Sequence, residues 1–291
     1  MRRLLAASAA ALLLSSCARG PAPLVVASKP FTESEIVGEM IAQLAESDGV
    51  KVERRFYLGG GVCFAGLKRG DVDAYVEYTG TGLVDLLGEP PRRDPAEVFA
   101  RVKKVFKKRW NLTWEPPLGF DNTYALVVRG GYAKKHGLET ISDLKKVPGG
   151  LVCGFDLEFA DRPDGWKGLK AAYGLKACRE IRQMTPGLMY GALSAGKVDV
   201  ISGYATDGRI ASYGLKVLDD DEHFFPPYQA APLLGPNALK KDPKLAAHLQ
   251  ALAGRIGGDE MRALNAEVDA GHRRVRDVAR DFLAAQGLLR K

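Results

Sequence analysis

Residues 61–74, Gly-Val-Cys-Phe-Ala-Gly-Leu-Lys-Arg-Gly-Asp-Val-Asp-Ala, have a counterpart 126 positions on, at residues 187–200, Gly-Leu-Met-Tyr-Gly-Ala-Leu-Ser-Ala-Gly-Lys-Val-Asp-Val. Each copy reads as a short helix closed by Leu-x-x-Gly, then Val-Asp, then a strand that runs to a tyrosine, Tyr78 in one and Tyr204 in the other. Gly70 and Gly196 suit the left-handed position that follows a helix. Asp73 and Asp199 fit the turn between helix and strand, where a short carboxylate caps backbone N–H groups, rather than catalysis. A duplicated helix–strand unit predicts two similar lobes.

The flanking segments alternate in the same way. Residues 24–28 read as a buried strand, and Thr32-Glu33-Ser34-Glu35 as a capping box opening a helix whose inner face is Val37, Met40, Ile41 and Leu44. Residues 52–58 alternate as a strand, and 95–110 form an amphipathic helix with Val98, Val102, Val105 and Phe106 inside. Strands are predicted over 124–128 and 151–155, and a helix over 166–173. Residues 233–291 read as helical, with Leu245, Leu249 and Leu252 on one face and Val275, Val278, Ala279, Phe282 and Leu283 on another. Alternation of this kind implies the α/β class, with two lobes built on mostly parallel sheets and a cleft between them. Ligands of such sheets bind beyond the carboxyl ends of the strands. Tyr78 and Tyr204 fall there, one per lobe, and both are expected to face the cleft. The last stretch is expected to return to the first lobe. The division is then 1–16 leader, 17–23 linker, 24–122 with 232–291 as lobe I, and 123–231 as lobe II.

The leader is read from Arg2 and Arg3, a run from Leu4 to Leu14 too short to span a bilayer, and small residues before a cysteine. Leu14-Ser15-Ser16-Cys17 looks like the lipobox of bacterial lipoproteins, in which Cys17 is lipidated and becomes the first residue of the mature chain. No later stretch approaches ~20 apolar residues, so the expected contact with the membrane is through the anchor alone, on its outer side. With Cys17 so used, Cys63, Cys153 and Cys178 remain, and an odd count in an oxidising compartment leaves room for one bridge and one free thiol. Cys153 and Cys178 are the expected pair, because both fall in lobe II near adjacent strand starts, whereas Cys63 sits in the repeat helix of lobe I. The four histidines are dispersed, so no metal site is expected. The chain of 291 residues is 46% hydrophobic and 26% charged, which excludes disorder and fibrous repeats. Its net charge of +7 includes Arg2 and Arg3 and is otherwise scattered, without the basic, aromatic-interleaved run that tracks nucleic acid.

Seven segments, in order, carry a resemblance: Ser28-Lys29-Pro30-Phe31-Thr32-Glu33, Leu58-Gly59-Gly60, Glu77-Tyr78-Thr79-Gly80-Thr81, Asp121-Asn122-Thr123-Tyr124-Ala125-Leu126, Arg162-Pro163-Asp164-Gly165-Trp166, Tyr204-Ala205-Thr206-Asp207-Gly208 and Pro226-Pro227-Tyr228. Together they resemble the substrate-binding proteins of bacterial osmoprotectant ABC importers, for glycine betaine, choline, carnitine and related ligands, over nearly the whole mature chain. The resemblance implies the type II periplasmic-binding-protein fold, a cleft that closes on its ligand, an ABC permease as partner, no cofactor and a monomer. In the tyrosine-cage branch of that family four tyrosines surround a quaternary ammonium, and they match Tyr78, Tyr124, Tyr204 and Tyr228. The carboxylate end of the ligand is held by residues matching Lys29, Thr81 and Arg162. The chemistry is coherent: a trimethylammonium has no N–H to donate, so aromatic faces read it through the ring quadrupole. Lys29 and Arg162 beside a cation favour a zwitterion over plain choline. Pro30 and Gly61 depart from the family pattern. Tyr75, Tyr190 and Tyr213 are assigned to packing, and Asp164 and Asp207 to turns.

Two other functions compete with import of a betaine. One is a sensory protein for choline or another betaine-like ligand. The other is an exported enzyme on the same scaffold, for which the sequence shows no Gly-x-Ser-x-Gly, no His-Glu-x-x-His and no phosphate loop.

Overall fold

The computed structural model describes residues 22–289; the leader, Cys17 and most of the linker lie outside the described residues. Among the described residues, ten strands form two five-stranded sheets. The first contains β1 (Leu24–Ala27), β2 (Val52–Arg55), β3 (Ala74–Tyr78), β4 (Thr113–Trp114) and β10 (Ala230–Leu234), in the order β2-β1-β3-β10-β4. The second contains β5 (Tyr124–Arg129), β6 (Leu151–Phe155), β7 (Cys178–Gln183), β8 (Val200–Tyr204) and β9 (Leu215–Leu218), in the order β7-β6-β8-β5-β9. The repeat offset carries β1, β2 and β3 onto β6, β7 and β8 to within two residues, and the Gly60–Arg69 helix onto Pro186–Ser194.

The duplicated aspartates act alike. Asp73 Oδ2 accepts the Val25 N–H at 2.7 Å, and Asp199 Oδ2 accepts the Val152 N–H at 2.9 Å. Each ties the turn before the third strand to the neighbouring parallel strand, where a buried N–H left unpaired would be costly. Lys241 and Arg129 balance the two carboxylates. Residues along β1 alternate between apolar layers, Leu24 and Val26 on one face and Val25 and Ala27 on the other, so the sheet is covered on both sides.

The sheets are mixed rather than mostly parallel. β1 is parallel to β2 and β3, and β6 to β7 and β8, but β10 is antiparallel to β3 and β4, and β5 to β8 and β9. The reason is topological: a chain crossing from one sheet to the other enters at the cleft end, where the parallel strands finish, and must run against them. Asp121 and Gln229 bridge side by side at that crossing.

Three local expectations change. The strand expected over 52–58 stops at Arg55, and Tyr57 adopts φ 66°, a left-handed conformation that ends pairing. Leu233 and Leu234, expected to be helical, pair with Tyr75 and Ala74 in β10; a place in the first sheet overrides local propensity. The capping box does not form: Phe31 is the N-cap of the Thr32–Ser47 helix, Thr32 Oγ1 donates to Asp269 Oδ1 at 2.5 Å, and Glu33 turns inward. The Val275–Ala285 helix buries Val278, Ala279, Phe282 and Leu283, and the Gln43 side chain donates to Arg276 O at 2.8 Å, joining it to Thr32–Ser47. Tyr213 is 45% exposed and packs little, unlike Tyr75 and Tyr190, which are buried.

Cys153 and Cys178 lie on the paired strands β6 and β7, with Cα atoms 5.8 Å apart, and form a disulfide, while Cys63 is buried and free. Burial pushes the Cys63 thiol up to about 12, so it is inert. On the chain-entropy account, closing that loop stabilises by roughly 3 kcal/mol. Reduction of the native protein should lower its melting temperature by several degrees, and non-reducing peptide mapping should recover the Cys153 and Cys178 peptides joined.

Candidate functional site

Tyr78 is the last residue of β3 and Tyr204 the last of β8; Tyr124 is the first of β5, and Tyr228 precedes β10 by two residues. Sheet register brings them together. Tyr124 pairs directly with Tyr204, and Ala230 with Tyr78, so all four rings stand at the end where both sheets meet. Tyr124 and Tyr204 have centroids 5.6 Å apart, and Tyr228 meets Tyr124 edge to face at 5.4 Å. A fifth ring joins them. Phe31 stacks on Tyr204 at 5.2 Å and lies 6.1 Å from Tyr78. The rings line a small cavity, together with Lys29, Thr81, Asn122, Glu158 and Arg162. Burial raises the four tyrosine hydroxyls well above their ordinary value, so they stay protonated.

The two expected cations are already paired. Arg162 is 6% exposed and makes a two-pronged bond to Asp164, Nε to Oδ1 at 2.8 Å and Nη2 to Oδ2 at 2.5 Å. Its Nη1 donates to Thr81 Oγ1 at 3.3 Å, which joins the two lobes at the end of the cavity. Tyr228 donates its hydroxyl to the same Asp164 Oδ2 at 2.7 Å. Asp164 therefore holds a guanidinium and a ring, a larger role than the turn assigned to it. Gly165 permits this geometry: a Cβ there would sit 2.1 Å from the Phe159 carbonyl oxygen. Asp207 binds Arg209 in the same two-pronged way, with no part in the cavity. Lys29 Nζ sits 2.5 Å from Glu77 Oε1 and 5.1 Å from the Tyr78 ring centre. A buried cation with a carboxylate partner costs far less than a bare one, which is how Lys29 and Arg162 persist inside. Among the described residues no cluster of three or more His, Cys, Asp or Glu is placed to hold a metal ion.

Residues 22–285 match the family described as the substrate-binding domain of ABC-type glycine betaine transport system. The chain belongs to this family. It is 40% identical to a carnitine transport binding protein of Listeria monocytogenes, over 94% of this chain and 91% of that one. It is 34% identical to a glycine-betaine-binding protein of Pseudomonas aeruginosa, over 91% and 88%. A crystal structure of a glycine betaine/carnitine/choline ABC transporter superposes with a TM-score of 0.73 at 37% identity, covering 91% of this chain and 99% of that one. The two lobes with one sheet each are the architecture of periplasmic binding proteins. As a family member the protein is the substrate-binding component of an ABC importer, working outside the cytoplasm with a permease and a small-molecule ligand. No helix among the described residues is long and apolar enough to cross a membrane.

Sequence reasoning passed over Phe31, Asp164, Glu77 and Glu33, although all four lie inside the seven segments that carry the resemblance. Glu33 is the most telling. Its Oε1 accepts from Tyr78 OH at 2.6 Å and Asn122 Nδ2 at 2.8 Å. Thr206 Oγ1, from the other lobe, lies 2.5 Å from Glu33 Oε2 and 2.8 Å from Asn122 Oδ1. One hydroxyl proton cannot serve two acceptors. A proton on Glu33 completes the ring: Glu33 donates to Thr206, and Thr206 to Asn122. Burial pushes the Glu33 carboxyl up to about 7, against the hydrogen bonds from Thr206, Tyr78 and Asn122 that lower it.

The folded protein thus keeps a proton that the unfolded chain releases above its ordinary value of 4.5. Stability should fall as pH rises from 4.5 to about 7 and level off beyond, a loss on the order of 3 kcal/mol from this group. Glu33→Gln keeps a donor toward Thr206 and an acceptor toward Asn122 without the titration. Its stability relative to the parent, read from chemical denaturation across pH 4–9, should rise over that window, and a parallel pair of curves would refute the assignment.

Proposed function

We propose that the protein captures a quaternary ammonium zwitterion of the glycine betaine or carnitine kind and delivers it to its permease. The observation that carries this reading is the box of five rings ending at Arg162 Nη1 and Thr81 Oγ1. Rings hold the methylated cation at roughly 0.5–2 kcal/mol per desolvated face. The guanidinium edge and hydroxyl receive a carboxylate, with Lys29 at the side. The carnitine- and glycine-betaine-binding relatives support the ligand class. The site residues are then Tyr78, Tyr124, Tyr204 and Tyr228 with Phe31 around the ammonium, and Arg162, Lys29 and Thr81 at the carboxylate. No catalytic residue and no cofactor enters the reading, which is binding without turnover by a monomer.

In this reading 24–122 with 232–291 form lobe I and 123–231 lobe II, hinged at the crossings beside Asp121 and Gln229, and the cleft closes on the ligand because both lobes contribute rings. We also propose that Cys17 carries the lipid anchor. Mass spectrometry of the membrane fraction should find a diacylglyceryl adduct at Cys17; a soluble chain with a free N-terminus at Ala18 or later would remove the anchor.

Arg162→Ala tests the ligand polarity. It should weaken glycine betaine by roughly ten- to hundred-fold in calorimetric titration, the loss of a charge-assisted bond. Choline should bind unchanged or better, because Asp164 is left facing the cavity without its cation. An equal loss for both ligands, with the fold intact by circular dichroism, would mean that Arg162 organises the lobe instead.

A further inference from the structure

The ring cavity is not closed on every side. Lys29, Phe31, Glu158 and Tyr204 also border a second, larger space between the lobes, at the cleft mouth. The remaining wall exposes mostly apolar surface, from Pro30 of one lobe and Leu157, Met184 and Pro186 of the other, with Asp156, Gln183 and Thr185 among them. Two of the polar groups at the passage are engaged within the protein. Lys29 is held by Glu77, and Glu158 Oε1 accepts the Gly60 N–H at 3.1 Å, where lobe II meets the start of the Gly60–Arg69 helix. Leu157 is 62% exposed here, an apolar side chain at the first turn of a short helix with no place in the protein core. Met184 beside it is unbranched and adaptable, a side chain that fits varied apolar shapes.

We propose that this space is a second subsite, taking an apolar substituent on a trimethylammonium carboxylate, as in an O-acyl ester of carnitine. The inference rests on the zwitterion reading of the ring box. Geometry sets the direction. The carboxylate lies at Arg162 and Thr81, which do not border the second space, while Phe31 and Tyr204 border both. A substituent branching from the middle of the ligand therefore leaves past the stacked pair, over the border that Lys29, Phe31, Glu158 and Tyr204 share, and comes to rest on Leu157, Met184 and the prolines. Glycine betaine has no such branch and uses the ring box alone.

The test is calorimetric titration of the mature chain with glycine betaine, carnitine, and the O-acetyl, O-butyryl and O-hexanoyl esters of carnitine. Affinity should climb along the esters by roughly two- to four-fold per methylene, the range expected for half to full burial. Leu157→Asp, at an exposed position that leaves the core untouched, should flatten that climb and leave glycine betaine affinity unchanged; Met184→Gln should act in the same direction. Flat or falling affinity along the esters, with carnitine still bound, overturns the subsite and leaves the ring box standing. A climb that both variants leave intact overturns it too, because the chain then rests elsewhere. Failure of every compound to bind, glycine betaine included, overturns both readings, and the unbranched ligand tells the two failures apart.

Discussion

Backbone pairing between strands fixes where the rings stand, and everything at the centre of this protein follows from it. Tyr124 and Tyr204 are register partners, and Tyr78 is the partner of Ala230 at the head of the strand that Tyr228 leads into. A ring carried at a strand end is held by the ladder behind it, with both faces of each sheet covered by apolar side chains.

Burial also governs the charges beside the rings. Arg162 is matched by Asp164 and Lys29 by Glu77, and each carboxylate makes a second bond. Asp164 receives the Tyr228 hydroxyl, and Glu77 the Tyr75 hydroxyl. Cations and rings are thereby fixed to one another, so a ligand meets a site whose polar groups need little rearrangement. Glu33 is the exception, a buried carboxyl with no cationic partner among the described residues, and it offsets the cost of burial by holding its proton up to about pH 7. Its hydrogen bonds reach Tyr78 on one side and Thr206 on the other, so a single buried carboxyl links the ring box to the junction of the lobes.

Much of this was legible in the chain because duplication leaves a mark that periodicity can read. The repeat at 61–74 and 187–200 implied two α/β lobes, and strand ends at Tyr78 and Tyr204 follow from it. Asp73 and Asp199 are structural, as their turn position suggested, although the bond to the neighbouring strand could not be read from spacing. The misreadings share a cause. The helix expected from 233 began too early, and the capping box was assigned to Thr32 and Glu35, because local signals were read without the long-range partners, β3 and Asp269, that override them.

The sequence by itself determined the two-lobed class, the alternation of strand and helix, and the tyrosines at strand ends, since each unit is written in residues close together in the chain and its second copy repeats the pattern. Only the tertiary structure decided that both sheets are mixed, that Phe31 joins the rings, that Asp164 holds Arg162 and Tyr228 together, and that Glu33, Asn122 and Thr206 close a ring across the lobes. Those depend on side chains up to 173 positions apart, and their partners are set by burial and by the direction in which a strand enters its sheet. No local pattern records either.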